Sequence, residues 1–318
     1  MQVSKKSFDE GLQSFVFSGN MLAALISRKW GVNLFHSLTK MLKGKNIKGL
    51  HCEERYIPSR SGGDDIRVRI FKPENFEGEL PGKLYNHGGG YMLGVPEVSL
   101  ELLEQYIKTR ACVIVAPDYR KSVKQPFPAG FNDCYDTLLW MKENASSLGI
   151  RPSKFIIAGH SAGGGLTAAV SLKARDTGDA DIAFQMPIYP MIDHRQETES
   201  AKAFTTVPVW NGITNKLAWD FYLQDQQGKV PVYASPSLNK DYKDFPPTIS
   251  FVGDMEPFKD ETIEYIDMLK KFNVPTKFEL YKGAFHGFES VVKNAPISKQ
   301  ANKFQFEAYA EFYDKYAP

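Results

Sequence analysis

Gly159-His160-Ser161-Ala162-Gly163 is the stretch on which the reading of this chain turns. Phe155-Ile156-Ile157-Ala158 comes before it, an apolar run with the length of a buried strand. Gly164, Gly165 and Leu166-Thr167-Ala168-Ala169-Val170 come after it and start a helix. A Gly-x-Ser-x-Gly pattern between strand and helix sets the serine at the tip of a turn so tight that its neighbours must lack bulk, and the hydroxyl projects above the sheet. The glycines supply that room. The competing reading is an ordinary glycine-rich turn, since five residues of this kind recur by chance. A nucleophile elbow therefore needs a base, an acid and oxyanion donors elsewhere in the chain.

Around the elbow, strands alternate with helices. Lys83–Asn86, Cys112–Ala116, Ile182–Ile188, Thr248–Val252 and Lys277–Tyr281 read as strands. Helices are expected over Glu97–Arg110, Phe131–Ser146, from the elbow to Arg175, over Lys259–Phe272 and over Gln300–Tyr316. This rhythm predicts an α/β fold with a mostly parallel central sheet flanked by helices on both faces. Glu53–Ser59 and Ile66–Phe71, joined by a turn at Ser61–Asp65, predict an antiparallel pair at the sheet edge. The alternation in Ile66–Phe71 predicts one apolar and one wet face. Phe8–Leu42 has helical spacing, with a break expected at Gly31-Val32-Asn33. Residues 194–244 carry no strand pattern and read as a helical insertion. With residues 1–50 they are expected to cap a catalytic domain spanning 51–318.

Composition narrows the class. The 318 residues suffice for one large α/β domain or two small ones. Thirty-nine basic against 37 acidic residues leave +2, which gives no electrostatic reason to expect nucleic acid or a membrane surface. Cys52, Cys112 and Cys134 form no Cys-x-x-Cys pair and fit no closed disulfide framework, as expected of free thiols in a reducing cytoplasm. Lys5 and Lys6 before an apolar-leaning stretch faintly mimic a leader, but polar residues interrupt it and no cleavage pattern follows. No window is long and apolar enough for a membrane span, so a cytoplasmic protein without membrane insertion is expected.

A serine at neutral pH needs a base, and the base needs an acid that orients it. Of the six histidines only His286 lies late in the chain just after a strand, where this topology puts the base. A structural histidine in a turn is the blander reading. The acid must follow Phe251-Val252, where Asp254, Glu256 and Asp260 compete and the chemistry accepts any carboxylate. Ala162 offers one oxyanion N–H, and Gly88, Gly89 and Gly90 offer others because a chain without side chains approaches substrate closely. That loop lacks the lysine and spacing of a phosphate loop.

His87-Gly88-Gly89-Gly90 together with Gly159-His160-Ser161-Ala162-Gly163-Gly164 resembles the hormone-sensitive-lipase group of α/β-hydrolase esterases. Asp118-Tyr119-Arg120, Pro126-Phe127-Pro128-Ala129, Tyr189-Pro190 with Asp193, Ala234-Ser235-Pro236, Pro246-Pro247 and His286-Gly287-Phe288 extend the likeness from about residue 50 to the end. The resemblance aligns the family's acid motif with Glu256-Pro257-Phe258 followed by Asp260-Glu261, and so favours Glu256 over Asp254. It departs at His160, where the family commonly has aspartate, and at Lys121–Gln125.

The resemblance implies hydrolysis of small esters with short acyl chains by a Ser161–His286–Glu256 triad, with neither metal nor organic cofactor. Tyr91, His160 and Trp210 are the candidate substrate contacts, and Phe15, Phe17, Trp219 and Phe221 are expected to wall the pocket where they do not simply fill the core. The group also implies pairing into a homodimer through the last strand and C-terminal helix. It includes plant gibberellin receptors, so a non-catalytic binder on the same scaffold is the alternative, though those receptors lack the triad histidine. A serine amidase or peptidase would use the same residues.

Overall fold

The computed structural model describes residues 3–226 and 228–318. Met1, Gln2 and Gln227, which belong to the expected segments 1–50 and 194–244, lie outside the described residues. Eight strands, β1 (Leu50–Ile57), β2 (Ile66–Pro73), β3 (Gly82–Asn86), β4 (Val113–Pro117), β5 (Phe155–His160), β6 (Ile182–Ile188), β7 (Thr248–Gly253) and β8 (Thr276–Tyr281), form one sheet in the order β1-β2-β4-β3-β5-β6-β7-β8. β2 pairs antiparallel with β1 and with β4, and the other neighbours pair in parallel.

Helices α1 (Val16–Ile26) and α2 (Lys29–Lys40) precede the sheet. They are followed by α3 (Leu100–Thr109), α4 (Ala129–Glu143), α5 (Ala145–Leu148), α6 (Ala162–Thr177), α7 (Glu199–Ala203), α8 (Gly212–Tyr222), α9 (Lys259–Lys271), α10 (Phe288–Val291) and α11 (Pro296–Tyr316). Residues 194–244 hold α7, α8 and a 3-10 turn at Pro236–Leu238, with no strand among the described residues.

Every residue of β3, β4 and β5 is buried, as strands covered on both faces must be. Successive side chains point to opposite faces. Leu84, Val115 and Ile157 join one core with Phe131 of α4 and Leu166 of α6, whereas Tyr85, Ile114 and Ile156 join the other with Phe184 and Tyr309 of α11.

Two expectations need correction. The helix break falls at Ser27–Arg28, and Gly31 lies inside α2. A Cβ at Gly31 would stand 1.9 Å from the Leu25 carbonyl oxygen, so the glycine lets α2 fold back closely on the end of α1. The supposedly wet face of β2 is also buried: Arg67 is 7% and Arg69 2% exposed. Arg67 donates to Glu54 at 2.7 Å, to Glu97, and to Asp118 at 3.4 Å. Asp118 in turn pairs with Lys43 at 2.6 Å and Lys121 at 3.1 Å. The arginines could go under cover because acids from β1, from the turn before α3 and from the end of β4 meet them there.

The elbow is held by contacts that exclude a methyl group. A Cβ at Gly163 would lie 1.9 Å from the Asn86 carbonyl oxygen and 2.7 Å from that of His87. Gly163→Ala is expected to lower stability by more than about 2 kcal/mol, because a rigid backbone would have to give way. Chemical denaturation compared with Gly178→Ala, at an exposed helix end where φ of +70° alone opposes a side chain and no atom stands within 4 Å, is the check. Equal stability for the Gly163 variant would contradict the packing described.

Candidate active site

Ser161 sits between β5 and α6 with φ +60° and ψ −123°. Its N–H donates to the Ile188 carbonyl at 3.0 Å, and its carbonyl accepts from Gly165 at 2.9 Å and Met191 at 3.1 Å. A residue at positive φ is strained unless its surroundings fix it, and these three bonds to α6 and the end of β6 do so. The neighbours leave no slack: a Cβ at Gly159 would stand 2.2 Å from the Gly163 carbonyl oxygen, and one at Gly165 2.1 Å from that of Met191.

His286 follows β8, and its Nε2 lies 2.9 Å from Ser161 Oγ. Its Nδ1 lies 2.5 Å from Glu256 Oε2, from the loop after β7. Glu256 is fully buried, and its other oxygen accepts the Gly253 N–H at 3.1 Å. The rival acids are occupied elsewhere. Asp254 accepts the Gly283 N–H at 2.6 Å and so clasps the β8–His286 loop, and Asp260 accepts the Ser200 N–H at 2.6 Å. Three loops distant in sequence thus meet in one Oγ–imidazole–carboxylate chain. The ring of His286 is wedged by Phe258 (ring centroids 5.0 Å apart) and by Tyr189 (4.6 Å), both edge-on.

Beside Ser161 runs the Gly88–Gly90 loop. A Cβ at Gly88 would come within 3.6 Å of Ser161 Cβ, so the loop abuts the nucleophile. Gly89 and Gly90 have φ of +125° and +59°, which side chains resist. Among the described residues the N–H groups of Gly88, Gly89, Gly90 and Ala162 donate to no backbone acceptor. His87 shapes the base of the loop. Its Nδ1 is 2.7 Å from the Gly88 carbonyl oxygen, its ring stacks on Tyr119 at 4.2 Å, and Tyr119 donates to its carbonyl at 2.8 Å. Burial lowers the His87 imidazole to about 3, so the ring is neutral and Nδ1 carries the proton it gives to Gly88.

The expected substrate contacts divide. Trp210 lies over Gly90, where an added Cβ would strike its ring at 2.1 Å, and stands 6.4 Å from the His286 ring. Tyr91 is not a free contact: it is buried, donates to the Met191 carbonyl at 2.6 Å and stacks on Tyr222 at 4.0 Å, so it braces the loop from behind. His160 is likewise engaged in the interior. Its ring nitrogens lie 3.3 Å from the Tyr85 hydroxyl and 3.4 Å from the Gln305 amide oxygen, and burial lowers it to about 3. Phe17, at 77% exposure, walls nothing, whereas Phe15 stacks on Phe285 beside His286. A recess of about 800 Å³ between α8 and residues 194–205 is lined by His194, Ile213, Lys216 and Trp219, and none of Ser161, Glu256 or His286 reaches it.

Glu289 escaped the sequence reading because its partner is distant in the chain. Its Oε1 accepts the Tyr189 hydroxyl at 2.5 Å, behind the ring that wedges His286. Burial pushes its carboxyl from 4.5 up to about 7. The folded state therefore holds this proton more tightly than the unfolded one. That contribution is whole below about pH 4.5 and drains away as pH rises through about 7. Glu289→Gln is expected to remove this part of the pH dependence, on the order of 3 kcal/mol at alkaline pH. Denaturant midpoints for both proteins across that range are the measurement, and parallel profiles would refute the assignment.

A protein-family model for the α/β-hydrolase fold matches residues 83–290. The chain is 29% identical over 277 residues to carboxylesterase NlhH of Mycobacterium tuberculosis, covering 85% of this chain and 86% of that one. It is 27% identical over 252 residues to an arylesterase of Saccharolobus solfataricus, covering 73% and 79%. A solved bacterial heroin esterase superposes with a TM-score of 0.89 at 30% identity, over 98% of this chain and 99% of that one. With the match spanning both the Gly88–Gly90 loop and the loop that carries His286, this chain belongs to the α/β-hydrolase family, in its hormone-sensitive-lipase-like group.

Proposed function

We propose that the chain is a serine carboxylesterase acting on small esters with short acyl chains. The observation that carries the reading is the unbroken contact from Glu256 through His286 to Ser161 Oγ, beside four unpaired backbone N–H groups. The esterases among its relatives support the same chemistry.

Ser161 Oγ attacks the ester carbonyl while His286 Nε2 takes its proton, and Glu256 stabilises the imidazolium through Nδ1. The carbonyl oxygen becomes negative among the N–H groups of Gly88, Gly89, Gly90 and Ala162. Each such donor is worth a factor on the order of 10² to 10³. The tetrahedral adduct collapses, the C–O bond breaks, and His286 returns the proton to the leaving alcohol. Water then attacks the acyl-enzyme with His286 again as base, releasing the acid and restoring Ser161. Trp210 over Gly90 supports a preference for short acyl groups, since it narrows the space above the loop.

Residues 1–50 and 194–244 then act as a cap on a catalytic body formed by the rest of 51–318. Residues Ser161 and His286 are almost fully covered, so the cap must part to admit substrate. β8 is the free edge of the sheet and is half-exposed, which supports pairing of two copies along β8 and α11. Three free cysteines support a reducing compartment, the cytoplasm. Among the described residues no helix is long and apolar enough to cross a membrane.

With p-nitrophenyl acetate and butyrate, Ser161→Ala is expected to lower kcat by about 10⁴-fold or more, and Glu256→Ala by about 10³- to 10⁴-fold. Asp254→Ala should keep kcat within about tenfold, because it supports a loop and not the imidazole. An active Glu256→Ala beside a dead Asp254→Ala would reverse the assignment. A wild type inert on all esters would leave the non-catalytic binder.

A further inference from the structure

The net charge of +2 hides a segregation. Residues 1–50 carry eight Lys and Arg against two acids, whereas residues 51–318 carry 31 against 35. The exposed apolar side chains are segregated in the same way. Of thirteen large ones exposed among the described residues, six stand on or just beyond α1 and α2: Phe17, Met21, Trp30, Leu34, Leu38 and Met41. At 3.6 residues per turn, Trp30, Leu34, Leu38 and Met41 fall within roughly 80° of arc, so they form one stripe. The opposite face of α2 packs inward through Val32 and Thr39. Lys29 and Lys40 lie along one flank of the stripe, Arg28 precedes α2, and Lys43, Lys45 and Lys48 follow it in the chain. Among the described residues Arg28, Lys40, Lys45 and Lys48 make no ion pair, whereas Lys43 is held by Asp118.

We propose that α1 and α2 form a docking surface for an anionic lipid interface, on which the protein rests without spanning it. An aromatic and aliphatic stripe bordered by unpaired cations suits the boundary between acyl chains and negative headgroups. A second copy fits the patch poorly, because a two-fold contact would press the same cluster of cations against itself. The position of the surface gives the docking a use. Val209 donates to the Gly19 carbonyl at 3.0 Å and Thr214 to that of Ala23 at 3.3 Å, so α1 is bonded to the segment carrying Trp210, the cover of the oxyanion loop. A lipid surface against α1 and α2 would deliver esters next to the part that must move. The docking does not depend on the esterase reading, and binding is measured without turnover.

Flotation with phosphatidylcholine vesicles, with and without phosphatidylglycerol, is the test. Binding is expected on the anionic vesicles, more than about tenfold weaker on the neutral ones, and weakened by salt. Lys40→Glu and Lys45→Glu should each weaken it by about fivefold or more. The pair Leu34→Asp and Leu38→Asp should abolish it while hydrolysis of soluble p-nitrophenyl butyrate stays within about twofold of wild type. Trp30 emission should shift to the blue on anionic vesicles, and Trp30→Phe should lose the shift. Ser161→Ala should bind as wild type does, which separates this inference from the catalytic one. Absence of binding, equal binding to neutral vesicles, or a dimer that the Leu34 and Leu38 substitutions dissociate in a protein that ignores vesicles would each overturn it.

Discussion

Ser161 is held at φ +60°, and much of the rest of the structure serves to keep it there. Such a conformation costs on the order of 1 to 3 kcal/mol for a residue with a side chain, so it persists only where neighbouring structure leaves no alternative. Here β5 delivers the chain, β6 offers the Ile188 carbonyl to the Ser161 N–H, and α6 begins at once with Ala162. Gly159, Gly163 and Gly165 approach backbone so closely that no methyl fits. The geometry that aims Oγ at His286 is the same geometry that leaves the Ala162 N–H free, since the first amide of a helix has no partner within it. The proposed nucleophile and the proposed oxyanion donor are two results of one turn.

A second constraint fixes the other side of the site. The Gly88–Gly90 loop leaves β3 and must stay beside Ser161 without side chains to anchor it. Its anchors come from behind: His87 bonded to Gly88 and stacked on Tyr119, and Tyr91 stacked on Tyr222 and bonded to Met191. Tyr119 leads back to Asp118, and Asp118 to the buried Arg67, the half-buried Lys121 and the exposed Lys43. Removing one partner from such a cluster would strand a buried charge at a cost of about 3 to 5 kcal/mol. The charges at the sheet edge therefore act on the loop's support at one remove, and they tie the segment after α2 to the catalytic body.

The parallel strands, the order of the site loops and the elbow were legible because they depend on local pattern: apolar runs, glycine spacing and a histidine after the last strand. Glu256 was legible only through its resemblance to a family motif, for three carboxylates share that loop and spacing alone does not aim them. What escaped depends on partners distant in the chain. Alternation in β2 predicts a wet face, yet Arg67 is buried because Glu54 and Glu97 meet it from elsewhere. Tyr91 and His160 adjoin site residues in sequence, but their side chains are consumed by Met191 and Gln305, a hundred or more residues away. Adjacency in the chain placed them near the chemistry, and tertiary hydrogen bonding turned them from it.

The balanced total charge misled for a related reason. A sum over the chain has no position in it, whereas the field at a surface depends on where charges stand within a Debye length of about 10 Å. Eight cations gathered in the first fifty residues produce a basic end even while the remainder offsets them. The same end is tied to the rest of the chain by backbone bonds, among them Val209 to Gly19 and Asp9 to Gly283, and by the buried side chains of Leu12, Ala23 and Val32. A site walled off from water gains electrostatic strength only while closed, and admits substrate only when opened. In this chain the helix pair bonded to the segment that carries Trp210 also carries the exposed apolar stripe. Access and adsorption thus fall on one pair of helices, leaving the sheet and its three loops free to stay rigid.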